Sequence, residues 1–161
     1  MALRKATYGS PGEAGRRGFE DLECFKLALD VVVNAHDFAR TLPAEEKFDM
    51  APQIRRASKS ITANIAEGYG RDHYLDSLKF YSNARGSLNE FLAHLINAQV
   101  LGYCEHAYFE AFYALIRQTE KALTGFMNYV RQQKAGEQVH ASRTAREDPV
   151  EYEINQENEQ L

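Results

Sequence analysis

The chain has 161 residues and is 44% hydrophobic, which suits one domain built around a single core. Its net charge of −4 argues against a strongly basic nucleic-acid-binding protein. No run of about 18 apolar residues is present, so we expect no membrane span. The charged N-terminus lacks the apolar core of a secretory signal.

Charge divides the chain into three parts. Residues 1–18 carry a net charge of +3, residues 19–134 carry −2, and residues 135–161 carry −5. The two end segments are poor in large apolar residues, and we predict a disordered basic N-terminal arm and a disordered acidic C-terminal tail. Tyr152 and its apolar neighbours alternate with acids in the tail, a pattern that would dock on a partner.

Two helices are predicted in the first half of the central segment. Apolar residues recur at three- and four-residue steps from about Asp21 to Arg40, and this helix stops before Pro43. A second helix begins after Asp49, which is placed to cap it, and ends at Gly68 and Gly70.

Two longer helices follow. Asp72 is placed to cap the third, which runs to about Leu101 and ends at Gly102, and the fourth runs from about Glu105 to Gln133. No alternating run of β-branched residues predicts a strand. Short connections between long amphipathic helices require antiparallel neighbours. The predicted fold is therefore all-α, an up-down antiparallel four-helix bundle over residues 19–134.

The sequence offers no catalytic constellation. Di-iron bundles require a carboxylate three residues before a histidine, and none precedes His36, His73, His94 or His106 in this way, while His140 lies in the tail. No nucleophile or phosphate-loop motif is present. Glu90 and His94 are one turn apart, and we interpret them as a helix-side contact rather than an acid–base dyad. Cys24 and Cys104 lack a CxxC neighbour, which suggests a reduced, cytoplasmic protein. We predict no enzyme activity, no cofactor, no metal and no small-molecule substrate.

A run of polar residues closes the second helix. Asn64, Glu67 and Arg71 approach its core face, and we expect them to satisfy one another and the exposed carbonyls of the helix end. The alternative is a ligand-binding cluster.

A glycine lies inside the third helix. Gly86 costs roughly 1 kcal/mol there relative to alanine, so we expect it to permit close approach to the second helix. Glu90 would reach the Asn64 and Arg71 region if the helices cross at this point. The predicted structural polar cluster then comprises Asn64, Glu67, Arg71, Ser87 and Glu90.

Three cations lie close together on the second helix. Arg55, Arg56 and Lys59 fall within little more than one turn, and residues 50–66 contain no acid. Such an arc is either a solvated face or a surface for phosphate or for an acidic protein.

These motifs together resemble the four-helix bundle proteins known as 23S rRNA intervening-sequence proteins. The resemblance covers about residues 19–133, with Phe25 at a position where the family often has tryptophan and Cys104 where a small capping residue is common. The matching segments are Phe19-Glu20-Asp21-Leu22, Gln53-x-Arg55-Arg56-Ala57, Asn64-Ile65-Ala66-Glu67-Gly68-x-Gly70-Arg71, Gly86-Ser87-x-x-Glu90 and Leu101-Gly102-Tyr103.

The resemblance implies a homo-oligomer, a pentamer, without known enzymatic activity. It also implies kinship with the accessory variability determinant of diversity-generating retroelements, which binds a reverse transcriptase and nucleic acid. The leading hypothesis is a non-catalytic binding or scaffold protein that engages structured RNA, or a reverse transcriptase with its RNA template, through Arg55, Arg56 and Lys59.

Two other hypotheses remain open. A protein–protein adaptor would use the acidic tail and bind no nucleic acid. An unrecognised enzyme would use Asn64, Glu67, Arg71 and Glu90, although the sequence supplies no nucleophile for it.

Overall fold

The computed structural model describes residues 1–7 and 18–132, so the predicted acidic tail lies outside the described residues. Within them the chain forms four α-helices and no strand, which confirms the all-helical prediction. Short 3-10 turns at Phe19–Asp21 and Ala44–Phe48 precede the first and second helices. The helices are α1 Glu23–Thr41, α2 Met50–Tyr69, α3 Tyr74–Val100 and α4 His106–Gln132.

Each helix packs against its two neighbours, in the cyclic order α1, α2, α3 and α4. Contacts between α2 and α3 run in opposite senses along the two helices: Arg56 reaches Glu90, and Ser60, one turn later, reaches Ser87. Tyr81 pairs with Phe126 and Phe91 pairs with Phe112, so α3 and α4 also run in opposite directions. The helices therefore form an up-down antiparallel bundle.

One apolar core runs through the bundle and is rich in aromatic rings. Burying each large side chain contributes about 1.5–3 kcal/mol relative to leaving it exposed. Within the described residues, no helix is both long enough and apolar enough to cross a bilayer. The largest fully buried side chains are Tyr81, Phe38, Phe91, Phe112, Phe126, Ile54, Ile61, Ile65, Leu88, Leu95, Ile116 and Leu123.

The helix starts differ from the predicted caps. Asp49 occupies the N-cap position of α2, but its side chain makes no capping bond, and the carboxylate of Glu46 accepts the hydrogen bond from the first amide of α2 at 3.2 Å. The predicted cap of α3, Asp72, is wrong. His73 caps α3 instead, because its Nδ1 accepts a bond of 3.4 Å from the amide of Leu75.

Glycine permits close helix contact at one end of α2 rather than in the middle of α3. A Cβ on Gly68 would lie 2.6 Å from Cε1 of Tyr81 and 3.0 Å from Cβ of Phe80, so only glycine fits between α2 and α3. A Cβ on Gly86 would meet nothing within 4 Å. The predicted close approach at Gly86 is therefore wrong, and the tight contact lies at Gly68, which the sequence had assigned only to helix termination.

The first seven residues also differ from expectation. Disorder was predicted for residues 1–18, yet residues 1–7 lie along α1 and form hydrogen bonds to it. Residues 8–17 lie outside the described residues.

The two glycines make a matched pair of substitutions. We expect Gly68→Ala to lower the free energy of unfolding by about 1–3 kcal/mol, because the added methyl group overpacks the contact with Tyr81. Gly86→Ala should raise it by about 0.5–1 kcal/mol through helix propensity alone. Urea denaturation measures both values. Equal effects of the two substitutions would contradict this account of the α2–α3 contact.

Candidate nucleic-acid interface

The three predicted cations lie on the outward side of α2. Arg56 and Lys59 are exposed and Arg55 is half-buried, whereas Ile54 and Ala57 on the opposite side enter the core. The cations line a shallow depression of about 540 Å³ together with Pro52, Ser60 and Ala63.

Among the described residues, one of these three cations forms an ion pair and the other two do not. The guanidinium of Arg56 donates to Oε1 of Gln53 at 2.7 Å and to Oε1 of Glu90 at 2.9 Å. In the part of the chain that the structure describes, neither Arg55 nor Lys59 forms an ion pair. Positive charge on this face is therefore concentrated at Arg55 and Lys59, one helical turn apart.

His36 on α1 lies beside these two cations. Burial lowers the pKa of His36 below 6.5, and the positive charges of Lys59 and Arg55, with that of Arg40, lower it further. Its Nε2 is buried and has no hydrogen-bond partner among the described residues. Arg55 and Lys59 therefore lie on the side of α2 that faces α1. His36 belongs to no sequence motif, and no spacing pattern connects it to the three cations of α2.

The predicted polar cluster divides into separate groups, of which the first joins α2 to α3. The hydroxyls of Ser60 and Ser87 lie 2.8 Å apart, and the Asn64 amide donates to the carbonyl and the hydroxyl of Ser60 at 2.8 and 3.1 Å. Ser60 was absent from the predicted cluster, although it stands one turn before Asn64.

A second group closes α2. Arg71 pairs with Glu67, as expected, and its guanidinium lies 4.4 Å from the ring centroid of Phe80 on α3. Within the described residues neither of these two side chains is hydrogen-bonded to Asn64, so the predicted three-residue network is only partly formed.

Glu90 lies elsewhere. It pairs with Arg56, and His94 Nε2 approaches it to 4.0 Å as a contact along the side of α3. The expectation that Glu90 reaches Asn64 and Arg71 is wrong, because the register of α2 and α3 places it opposite Arg56. Eleven helical residues separate Arg56 from Glu67, a rise of about 16 Å. The residues of the enzyme hypothesis therefore do not converge on one site.

Metal-binding chemistry is also missing from residues 1–7 and 18–132. They contain no group of three histidine, cysteine or acidic residues placed to hold a metal ion. Cys24 and Cys104 are both buried, and burial raises the pKa of the Cys104 thiol. A raised pKa disfavours the reactive thiolate.

Over the described residues, the fold and this surface define a class: an all-helical protein of four helices, one of which carries a pair of cations without an ion-pair partner. Residues 20–125 match the family described as 23S rRNA-intervening sequence protein, and because this is more than half of the chain, the protein belongs to that family. The membership confirms the resemblance carried by the sequence motifs.

One solved structure shows the same fold. It is the crystal structure of a protein of unknown function from the S23 ribosomal protein family of Bacteroides thetaiotaomicron VPI-5482, with a TM-score of 0.60 and 24% sequence identity. The match covers 65% of this chain and 97% of that one. No curated protein matches the chain.

The position of His36 predicts a pH dependence of stability. Its pKa is lower in the folded chain than the ordinary 6.5, so the unfolded chain binds the proton more readily. Its stabilising effect is therefore complete above about pH 6.5 and is lost as the pH falls through the folded-state pKa. We expect His36→Asn to flatten the decline in the free energy of unfolding between pH 7 and pH 5.

Denaturation at several pH values measures this effect. An unaltered pH profile in His36→Asn would contradict the assignment.

Proposed function

We propose that the protein is a non-catalytic, self-associating binding protein whose α2 face contacts the phosphates of structured RNA. Arg55 and Lys59 form the centre of this face, and Arg56 borders it. The observation that supports the proposal best is that Arg55 and Lys59 have no counter-ion among the described residues, in a segment of α2 without acids. Neither cation has to leave a partner in the described part of the chain before it binds phosphate.

Family membership supports the choice of RNA over other polyanions. The family is described by its relation to 23S rRNA intervening sequences, and this description concerns the family rather than a binding measurement. A reverse transcriptase with its RNA template, implied by resemblance alone, would present the same phosphate chemistry. Charge reversal of Arg55 and Lys59 tests binding to structured RNA and to a template RNA held by a reverse transcriptase.

Self-association would increase the effect of a small basic patch. Two charges per chain bind RNA weakly, whereas a ring that presents several copies gains avidity. The proposed interface includes apolar side chains at one end of the bundle, where Phe48 is 85% exposed and Val100 is 80% exposed, with Leu101 also exposed. Exposed apolar groups that lie together are typical of an interaction surface. The pentamer implied by the sequence resemblance is the assembly that we propose.

The second candidate is a protein–protein adaptor that binds no nucleic acid. The same exposed side chains of Phe48, Val100 and Leu101 favour it, because they suit a partner protein as well as a second copy. The acidic tail assigned to this role lies outside the described residues.

RNA binding should depend on the two unpaired cations. We expect Arg55→Glu/Lys59→Glu to weaken binding of a structured RNA at least tenfold at low salt, because each chain loses two phosphate contacts. The slope of log affinity against log salt should fall in magnitude by about 1.8 per bound chain. Fluorescence anisotropy at a series of salt concentrations measures both quantities.

A matched control is available on α4. Arg117 and Lys121 are exposed and one turn apart, so Arg117→Glu/Lys121→Glu makes the same change in net charge elsewhere on the bundle. It should retain the RNA affinity and the salt slope. Equal losses in the two variants would show a general charge effect and would contradict a site on α2.

His36 supplies a second readout of the same experiment. RNA phosphates that neutralise Arg55 and Lys59 would remove repulsion that lowers the His36 pKa. That pKa, followed by NMR, should therefore rise when RNA is added. No rise in the presence of bound RNA would place the RNA away from α2.

The proposed self-association is tested by mass in solution. Light scattering should give several chains per particle for the wild type, and five if the ring forms. Val100→Lys should lower the mass, because it places a charge in the proposed apolar interface, whereas Lys121→Ala on α4 should not. A wild-type mass of one chain would rule out the ring and the avidity that depends on it.

A further inference from the structure

The first residues of the chain are bound to α1 by backbone hydrogen bonds. The amide of Arg4 donates to Oδ1 of Asn34 at 2.9 Å, and Nδ2 of Asn34 donates to the carbonyl of Arg4 at 2.8 Å. One side-chain amide thus satisfies both backbone groups of one residue. Asn34 is itself buried and is held by a further bond of 2.7 Å from Nδ2 to the carbonyl of Asp30.

A buried carboxylate one turn earlier binds the next residues. Oδ1 of Asp30 accepts the amide of Ala6 at 2.7 Å, and Oδ2 accepts the ammonium of Lys5 at 2.8 Å. The Asp30 side chain is only 8% exposed, whereas Lys5 is 80% exposed. Removing a carboxylate from water is costly unless donors replace the lost water, and the N-terminal segment supplies those donors.

The third contact is an ion pair. The Arg4 guanidinium binds the carboxylate of Asp37 through both Nε and Nη2, and Arg40 donates to the same carboxylate at 2.7 Å. The hydrogen bonds that Arg4 donates hold the pKa of Asp37 below its usual range. Beside this pair, Leu3 packs against the core.

These contacts distinguish successive positions of an extended peptide. The amides of Arg4 and Ala6 face α1, and the amide of Lys5 between them donates no bond within the described residues. This alternation is that of an extended strand. The arginine, the lysine and the small residue each have their own contact on α1, and the apolar residue before them packs against the core.

We propose that Asp30, Asn34 and Asp37 form a receptor for an extended peptide of the pattern Leu-Arg-Lys-Ala, and that the chain's own residues 3–6 occupy it as a displaceable latch. The site is independent of the RNA-binding face proposed above. While the latch is bound, Asp37 and Asp30 neutralise Arg4 and Lys5. A partner segment of the same pattern binds α1 only when the latch is displaced.

The receptor is filled most readily by residues of the same chain, because residues 8–17, the tether between the latch and the bundle, have only a short distance to span. Lys5 and Ala6 line the same depression on α1 as Glu20 and Asp21, which follow the tether. The ten intervening residues reach at most about 35 Å, well beyond the width of one depression. A short tether gives an effective concentration in the millimolar range, so the receptor is filled in cis unless the latch is weakened.

The test uses the full chain and an acetylated peptide, Ala-Leu-Arg-Lys-Ala-Thr, with a fluorescent label. In Arg4→Glu/Lys5→Glu the latch is repelled by Asp30 and Asp37, which leaves the receptor open. We expect the peptide to bind this variant at least tenfold more tightly than it binds the wild type. Arg16→Glu/Arg17→Glu makes the same change in the charge of the arm but retains Arg4 and Lys5, so it should exclude the peptide as the wild type does.

Two outcomes would overturn the proposal. Failure of the opened variant to bind the peptide at up to 5 mM would do so, because a receptor that weak would not hold the latch either. Equal binding of a scrambled peptide of the same composition would show attraction to acidic charge alone. Circular dichroism confirms that each variant retains its helices.

Hydrogen exchange in the wild type tests the latch without any substitution. The amides of Arg4 and Ala6 should exchange at least tenfold more slowly than in the free peptide, whereas the amide of Lys5 should not. Peptide-like exchange at Arg4 and Ala6 would overturn the proposal whatever the fate of the variants.

Discussion

The close approach of α2 and α3 at Gly68 sets the register of the two helices, and much of the surface follows from it. A methyl group at this position would lie 2.6 Å from the Tyr81 ring, so the ring sits directly over the α2 backbone. With the helices fixed there, antiparallel packing brings Ser60 opposite Ser87, where the two hydroxyls form the next link between them. One turn further on, the same register brings Arg56 opposite Glu90.

This register decides which cations remain available for binding. Neighbouring helical residues point about 100° apart, so Arg56 turns towards α3 and its carboxylate while Arg55 turns away from them. Arg55 and Lys59 instead face α1, where their charges help to lower the pKa of His36. Contacts at the far end of α2 therefore leave Arg55 and Lys59, on the α1 side of the helix, without an ion pair among the described residues.

Patterns confined to one helix were predicted well from the sequence. The four apolar stripes gave helix bounds within about two residues of those observed, because a stripe ends where the chain leaves the core. Gly102 likewise ends α3 as predicted, with a φ of 78° that favours glycine. Family membership also followed from motifs spread over these helices.

Contacts between helices were predicted poorly, because spacing along one helix shows which residues share a face but not what lies opposite. Glu90 was assigned to the wrong partners for this reason. The close helix contact was assigned to Gly86 instead of Gly68. A glycine inside a helix either permits close packing or lies on an open face, and a glycine at a helix end either terminates the helix or permits close packing. Sequence alone does not separate these explanations. His36 was missed as a neighbour of Arg55 because no spacing rule connects α1 to α2.

Amino-acid composition did not predict that the first residues of the N-terminal arm bind to α1. Residues 1–18 contain too few apolar groups to fold by burial, and disorder was expected for them. Residues 3–6 instead satisfy polar groups on α1, and this requires donors and acceptors rather than a core. Asp30 and Asn34 were the available signal, since both are buried in a helix whose other buried residues are apolar.

Charge on the folded chain is therefore distributed differently from charge along the sequence. The arm is the most basic segment of the sequence, but α1 carboxylates neutralise two of its cations, Arg4 and Lys5. α2 lies in the near-neutral central segment, yet Arg55 and Lys59 keep their charge uncompensated within the described residues. A net charge of −4 consequently says little about what a phosphate group meets at the surface of α2. Local pairing, which depends on the helix register, determines where this protein presents positive charge.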